Sequence, residues 1–238
     1  EGTAALVLDV KVGSGAFMHT MERATELAQT MVGIGNRAGV KTIALLTEMD
    51  TPLGFTAGNA MEVAESLEVL AGGGPADVRE LTLILAKEML TLAGLDITKP
   101  EHNPELALQD GRAMQVWRDM VSAQGGDPDA PLPQAAHRIE IRAEESGFVT
   151  RLDAYPIGVA AWKLGAGRAR KEDLIAAGAG VRWHVREGDE IQVGDLLFEL
   201  FADDETRFPA AVDLLSKAVS YGTSAPTSRN LVRARITA

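Results

Sequence analysis

Leu6-Val7-Leu8-Asp9-Val10-Lys11-Val12-Gly13-Ser14-Gly15-Ala16-Phe17 is the stretch that decides the fold. Leu6 to Leu8 are apolar without alternation, as in a strand covered on both faces. Asp9 and Lys11 stand two apart and so project from one face of that strand, where a strand-end ion pair is the plainer reading. Gly13 and Gly15 supply a turn, and a helical pattern begins near Thr20. The result is a β-turn-α unit, whose strand end is the usual ligand position in an open α/β sheet. Gly13-x-Gly15 is not a dinucleotide loop, because Met18 stands where that fingerprint needs its third glycine.

Outward from this unit, Met21, Ala24, Leu27, Ala28, Met31 and Ile34 recur at helical spacing, and the spacing predicts a helix over 20–38 closed by Gly39. Thr42-Ile43-Ala44-Leu45-Leu46 is a second buried strand, parallel to the first by the handedness rule. Residues 48–58 form a loop at that strand's end, and Asn59 is expected to cap the next helix with Glu62 at its third position. Gly72-Gly73-Gly74-Pro75 breaks the chain, and Asp77 is expected to cap a helix that is apolar almost all round and packed on more than one side. Asn103-Pro104 opens a short helix, and 112–124 form another.

Asp127-Pro128-Asp129-Ala130-Pro131-Leu132-Pro133 is a linker, after which the apolar period changes from helical to two. Strands are expected over 138–143, 147–152, 181–185, 196–201 and 229–236, with a helix over 209–219. Gly-Asp occurs twice between Arg186 and Asp195, the turn chemistry of a small barrel-sandwich. The predicted architecture is α/β: a partial parallel sheet with flanking helices over residues 1–130, then an α+β domain with a barrel-sandwich-like β region over 131–238.

The 238 residues, 46% of them hydrophobic, suffice for one large core or two smaller ones. The net charge of −11 is opposite to what a nucleic-acid surface needs. There is no cysteine, hence no disulfide frame and no thiolate chemistry. No apolar run reaches the roughly 18 residues of a membrane span, so a cytoplasmic protein is expected. His19, His102, His137 and His184 are scattered without ligand spacing, and no nucleophile-elbow signature occurs. The chain opens at Glu1-Gly2-Thr3, directly before a strand and without methionine, and is expected to be a fragment.

Asp9 to Met18 resembles a segment of the thymidine phosphorylase and pyrimidine-nucleoside phosphorylase family. The resemblance continues through Ala44 to Met49, Pro52-Leu53-Gly54, Ala57 to Val63, Ala123 to Asp127, Leu164 to Arg168 and Val185 to Asp189. It implies a transferase that cleaves thymidine or another pyrimidine nucleoside with phosphate, without an organic cofactor, and that works as a homodimer. About the C-terminal half of the family's chain is represented. The family's phosphate-binding and base-binding residues all precede Glu1, so no catalytic or substrate-contacting residue is assigned, and this polypeptide alone is expected to be inactive.

The resemblance also implies a monovalent cation, potassium, held by the backbone carbonyls of Leu53 and Thr56 and the carboxylate of Glu65. Oxygen ligands suit such an ion. Thr56 stands where relatives often have alanine, a change that a carbonyl ligand tolerates. The other reading is that Leu53 packs and Glu65 is solvated. Gly165, Gly167 and Arg168 belong to a basic loop that borders the substrate cleft in the family; the plainer reading is an exposed loop leading to a helix capped at Lys171-Glu172-Asp173. A non-catalytic carrier module would need a lysine at the hairpin tip, and no Met-Lys or Asp-Lys dipeptide occurs there. An anthranilate phosphoribosyltransferase relative would need an acidic pyrophosphate-and-metal motif, which is not found.

Overall fold

The computed structural model describes residues 2–168, 170–227 and 229–237. Glu1, named above as the start of the chain, and Ala169 of the basic loop lie outside the described residues. In chain order the elements are β1 (Ala5–Val12), α1 (Met21–Arg37), β2 (Lys41–Glu48), β3 (Thr56–Ala57), α2 (Asn59–Leu70), α3 (Ala76–Leu92), α4 (Pro104–Gln109), α5 (Arg112–Ala123) and β4 (His137–Arg142). They continue with β5 (Gly147–Leu152), α6 (Ala154–Ala161), β6 (Gly180–Trp183), β7 (Glu190–Ile191), β8 (Leu196–Ala202), α7 (Phe208–Leu215), β9 (Val219–Gly222) and β10 (Val232–Ile236).

Contacts divide the chain into two compact units. One holds residues 1–48, 66–130 and 230–238; the other holds 49–65 and 131–229. The proline-rich stretch before Pro131 is one boundary, but contacts do not follow chain order. The loop after β2 groups with the later strands, and the last strand groups with the first two.

The first unit is built on a three-stranded sheet of order β1-β2-β10. β1 and β2 are parallel, in register from Ala5 opposite Lys41 to Val12 opposite Glu48, and β10 is antiparallel on the far side of β2. The strand covered on both faces is therefore β2, where Thr42 to Glu48 are all buried. β1 lies at a sheet edge, and its Leu6 is 40% exposed, contrary to the reading of that run as fully covered. α1 lays Ala24, Ala28 and Val32 into the sheet's core. These small residues allow close approach, and they leave Leu27, Met31 and Ile34 of the expected stripe exposed. Thr20 caps α1, its hydroxyl accepting from Arg23 N–H. The Asn36 amide exchanges two hydrogen bonds with the Thr42 backbone, 3.0 and 3.2 Å, pinning the helix end to the start of β2.

Three helix starts test the capping expectations. Asn103 caps α4, accepting from Glu105 and Leu106 N–H. Asp77 does not cap α3: the cap position is Pro75, one residue outside the helix, and Asp77 lies within the first turn. Only Leu81 of the α3 apolar set is buried, while the helix touches β1 and α4. Asn59 does not cap α2 either. The Glu62 carboxylate reaches back to Gly58 N–H at 2.9 Å, so Gly58 takes the cap position and the Asn59 side chain is released for other use.

The second unit carries two antiparallel sheets, β3-β6-β8-β4 and β7-β5-β9. They make the expected β-rich region without closing into a barrel. Their core gathers Trp183, Phe198, Leu200, Leu152, Ile157 and Leu164. α6 was not expected from the sequence, because Ala154-Tyr155-Pro156-Ile157-Gly158 contains two helix breakers. It forms because Asp153 caps it, accepting from Tyr155 N–H at 3.1 Å, and because Pro156 sits in the first turn, where no backbone N–H is needed. Arg186-Glu187-Gly188-Asp189 and Gln192-Val193-Gly194-Asp195 are two equivalent turns. In each, glycine has positive φ, the aspartate N–H donates to the first residue's carbonyl, and the aspartate carboxylate accepts that residue's N–H at 2.7 Å.

Candidate functional site

The sequence places a ligand loop at residues 48–58, and the structure ties residues 49–58 down at several points within the second unit. Asp50 C=O accepts Ala154 N–H at 2.8 Å, and its carboxylate pairs with Arg229 at 2.8 Å. Phe55 C=O accepts Trp183 N–H at 3.0 Å, and the Arg186 guanidinium lies over the Phe55 ring at 4.0 Å. β3 then pairs with β6, Thr56 opposite Arg182 and Ala57 opposite Val181. Gly58 and Gly180 permit this contact: a Cβ on Gly58 would stand 2.5 Å from Ala179 O, and one on Gly180 would strike Ala57 O.

Of the expected cation set, Glu65 returns to the loop that carries Leu53 and Thr56. The Glu65 carboxylate folds back from α2 and accepts Phe55 N–H at 2.9 Å, which sets it against the backbone next to Thr56. Glu65 is thus engaged with the loop rather than simply solvated. The bond from Trp183 N–H to Phe55 C=O makes Thr56–Arg182 a non-hydrogen-bonded pair of the antiparallel ladder. The Thr56 N–H and C=O therefore point away from β6. Leu53 is half-buried, two residues before Phe55.

Thr56 contributes a feature that the sequence did not disclose. It is 8% exposed, and its hydroxyl oxygen is buried with no hydrogen-bond partner among the described residues. Burying an unpaired hydroxyl costs about 1–3 kcal/mol, so natural structures rarely leave one idle. The expected donors, two carbonyls and one carboxylate, and this orphaned hydroxyl are all oxygens, the chemistry that suits a hard cation of low charge. No group of three or more His, Asp or Glu side chains able to hold a metal ion occurs among the described residues.

The basic loop lies beside the same segment. Asn59 donates through its side-chain amide to Ala166 C=O at 2.7 Å, and Ala60 N–H donates to Ala177 C=O at 2.9 Å. Gly165 takes φ +118° inside a π-helical turn over 162–166, and its C=O accepts Ala176 N–H. Gly167 packs so closely on Trp162 that a Cβ would come within 2.7 Å of the ring. Arg168 is exposed, with Nη1 3.5 Å from Lys171 C=O. No helix follows at Lys171-Glu172-Asp173; Asp173 instead closes a turn by accepting Arg170 N–H at 2.9 Å.

In the first unit, several charges on the three-stranded sheet are already matched. Lys11 Nζ sits 2.7 Å from Asp9, and Asp9 also accepts from the Thr47 hydroxyl. The ion-pair reading of Asp9 and Lys11 therefore holds. Glu48 is buried and paired with Arg233, and Arg235 pairs with Glu88 at 2.8 Å. The Glu88 carboxylate pushes the Arg235 guanidinium pKa further up.

Residues 1–114 match the family model described as the glycosyl transferase family a/b domain, and residues 148–222 match the pyrimidine nucleoside phosphorylase C-terminal domain. The chain belongs to the pyrimidine-nucleoside phosphorylase family. It is 52% identical to a thymidine phosphorylase of Mycobacterium tuberculosis over 236 residues, 99% of this chain and 54% of the relative. Pyrimidine-nucleoside phosphorylases of Bacillus subtilis and Geobacillus stearothermophilus are 45% and 43% identical over 211 residues, 86% of this chain and 49% of each relative. The chain thus spans about half the length of the curated relatives it matches. No helix among the described residues is long and apolar enough to cross a membrane.

Proposed function

We propose that this chain is the scaffold side of a pyrimidine-nucleoside phosphorylase that converts thymidine and phosphate to thymine and 2-deoxyribose 1-phosphate. In that reaction a phosphate oxygen bonds to C1′ of the sugar while the C1′–N bond breaks, and the base leaves with the bonding electron pair. The groups the chemistry demands are fixed cations and N–H donors for the anion and for the departing base.

The observation that carries the scaffold assignment is charge matching. Lys11, Arg233 and Arg235 are each held by a carboxylate, so these cations are committed to the sheet. Leu53 and Thr56 carbonyls with the Glu65 carboxylate would hold a potassium ion, which supplies fixed positive charge beside an anion when bound. Gly165, Gly167 and Arg168 border the substrate cleft in this reading. Support comes from the bonds Asn59 and Ala60 make to the loop they belong to.

The test is thymine release, followed by absorbance, from thymidine and phosphate. A whole polypeptide that carries these residues together with the segment its relatives have beyond them should turn over. Residues 1–238 alone should not. Turnover by residues 1–238 alone refutes the scaffold assignment, and failure of the whole polypeptide with every pyrimidine nucleoside refutes the activity.

A further inference from the structure

Among buried polar atoms, the Thr56 hydroxyl is the one that coincides with a proposed ligand site. It is buried, lacks a hydrogen-bond partner among the described residues, and belongs to a residue whose carbonyl already points away from β6. The two oxygens of one threonine are only a few bonds apart. An ion bound to the carbonyl therefore lies within reach of the hydroxyl, given the right rotamer. The Glu65 carboxylate, fixed by Phe55 N–H, is the adjoining negative charge. Alanine at this position would offer the carbonyl alone.

We infer that Thr56 is a double ligand in this protein: its hydroxyl oxygen, as well as its carbonyl, binds the monovalent cation, giving the site one more oxygen than a chain with alanine there would have. The inference rests on the cation reading above. It explains why an uncompensated hydroxyl is kept buried on β3, since the desolvation of that oxygen is offset when the ion binds.

The experiment uses the whole polypeptide and four forms: wild type, T56S, T56V and E65Q. Thermal unfolding is followed in potassium chloride against choline chloride at equal ionic strength. Crystals soaked in thallium(I) report ligand distances through anomalous density. Potassium should raise the unfolding temperature of wild type and T56S saturably, and E65Q should abolish the response. T56V should need roughly tenfold more potassium for half its effect, the size expected for losing one oxygen contact to a charge. Without potassium T56V should be at least as stable as wild type, because the orphaned hydroxyl is gone; this shows that the variant folds. Thallium density within bonding distance of the Thr56 hydroxyl is the expected crystallographic result.

Equal half-saturation in wild type and T56V overturns the hydroxyl role and leaves the carbonyl-and-carboxylate site standing. A wild type with neither a potassium response nor a thallium peak overturns the cation reading and this inference with it.

Discussion

Gly58→Ala tests whether the close contact of β3 with β6 holds the candidate loop in place. Two costs arise at this position. Gly58 has φ +152°, a conformation that alanine adopts only with strain of roughly 1–2 kcal/mol. The added Cβ would also stand 2.5 Å from Ala179 O and 3.0 Å from Gly180 Cα. Both neighbours are backbone, so relief requires moving a strand, and overpacking of this kind costs about 1–3 kcal/mol. Against this, alanine lowers the entropy of the unfolded chain, a gain of about 0.4–1 kcal/mol. The expected net loss is about 2–3 kcal/mol.

Urea unfolding gives the assay. In a Trp117→Phe background the remaining tryptophans, Trp162 and the buried Trp183, both lie in the second unit, so fluorescence reports the unit that carries the substitution. With an m-value of about 1–1.5 kcal/mol/M for a unit of this size, the midpoint should fall by about 2 M. The m-value itself should be unchanged. A midpoint within about 0.3 M of wild type, under 0.5 kcal/mol on the same m-value, would show that β3 is not clamped on β6 and that the Thr56 and Glu65 geometry is not fixed by this contact.

Two further outcomes follow from buried polar groups. Trp183→Phe should change stability by less than about 1 kcal/mol, because the cavity cost is opposed by removal of an indole N–H that is buried without a partner among the described residues, whereas Leu200→Ala in the same core should cost about 2–5 kcal/mol; a loss above 3 kcal/mol for Trp183→Phe, measured by circular dichroism, would show that the N–H is engaged. Burial, with the charges of Glu145 and Glu144, raises the Tyr221 phenol above its usual value near 10. A folded-state value above the unfolded one means the stability is fully present below pH 10 and is lost as pH rises through the folded value. Tyr221→Phe should therefore flatten the alkaline limb of a stability profile taken between pH 9 and 11, and an unchanged limb would contradict the burial argument.

Local chemistry made much of this protein legible. The period of apolar residues placed β1, α1 and β2 within a residue or two, and Asn103-Pro104 and the two Gly-Asp turns read correctly because each is satisfied by neighbours in sequence. The family resemblance was likewise carried by contiguous motifs, and it marked Leu53, Thr56 and Glu65 without showing that Glu65 turns back to Phe55. Failures fell where a distant partner decides. Asn59 was read as a cap, yet its amide is used 107 residues away at Ala166, because Glu62 already satisfies Gly58 N–H. α6 forms through a helix breaker because a cap and a buried face outweigh propensity. The exposure of Leu27, Met31 and Ile34 depends on which face of α1 the sheet accepts.

The sequence by itself determined the family and the class of the fold, because these depend on residue type and spacing along the chain. Only the tertiary structure decided that the Glu65 carboxylate turns back to Phe55 and that the Thr56 hydroxyl is buried without a partner among the described residues. Burial and hydrogen bonding are settled by what other segments bring to a residue, and no local pattern encodes the arrival of Trp183, Ala179 and Ala166 beside this loop.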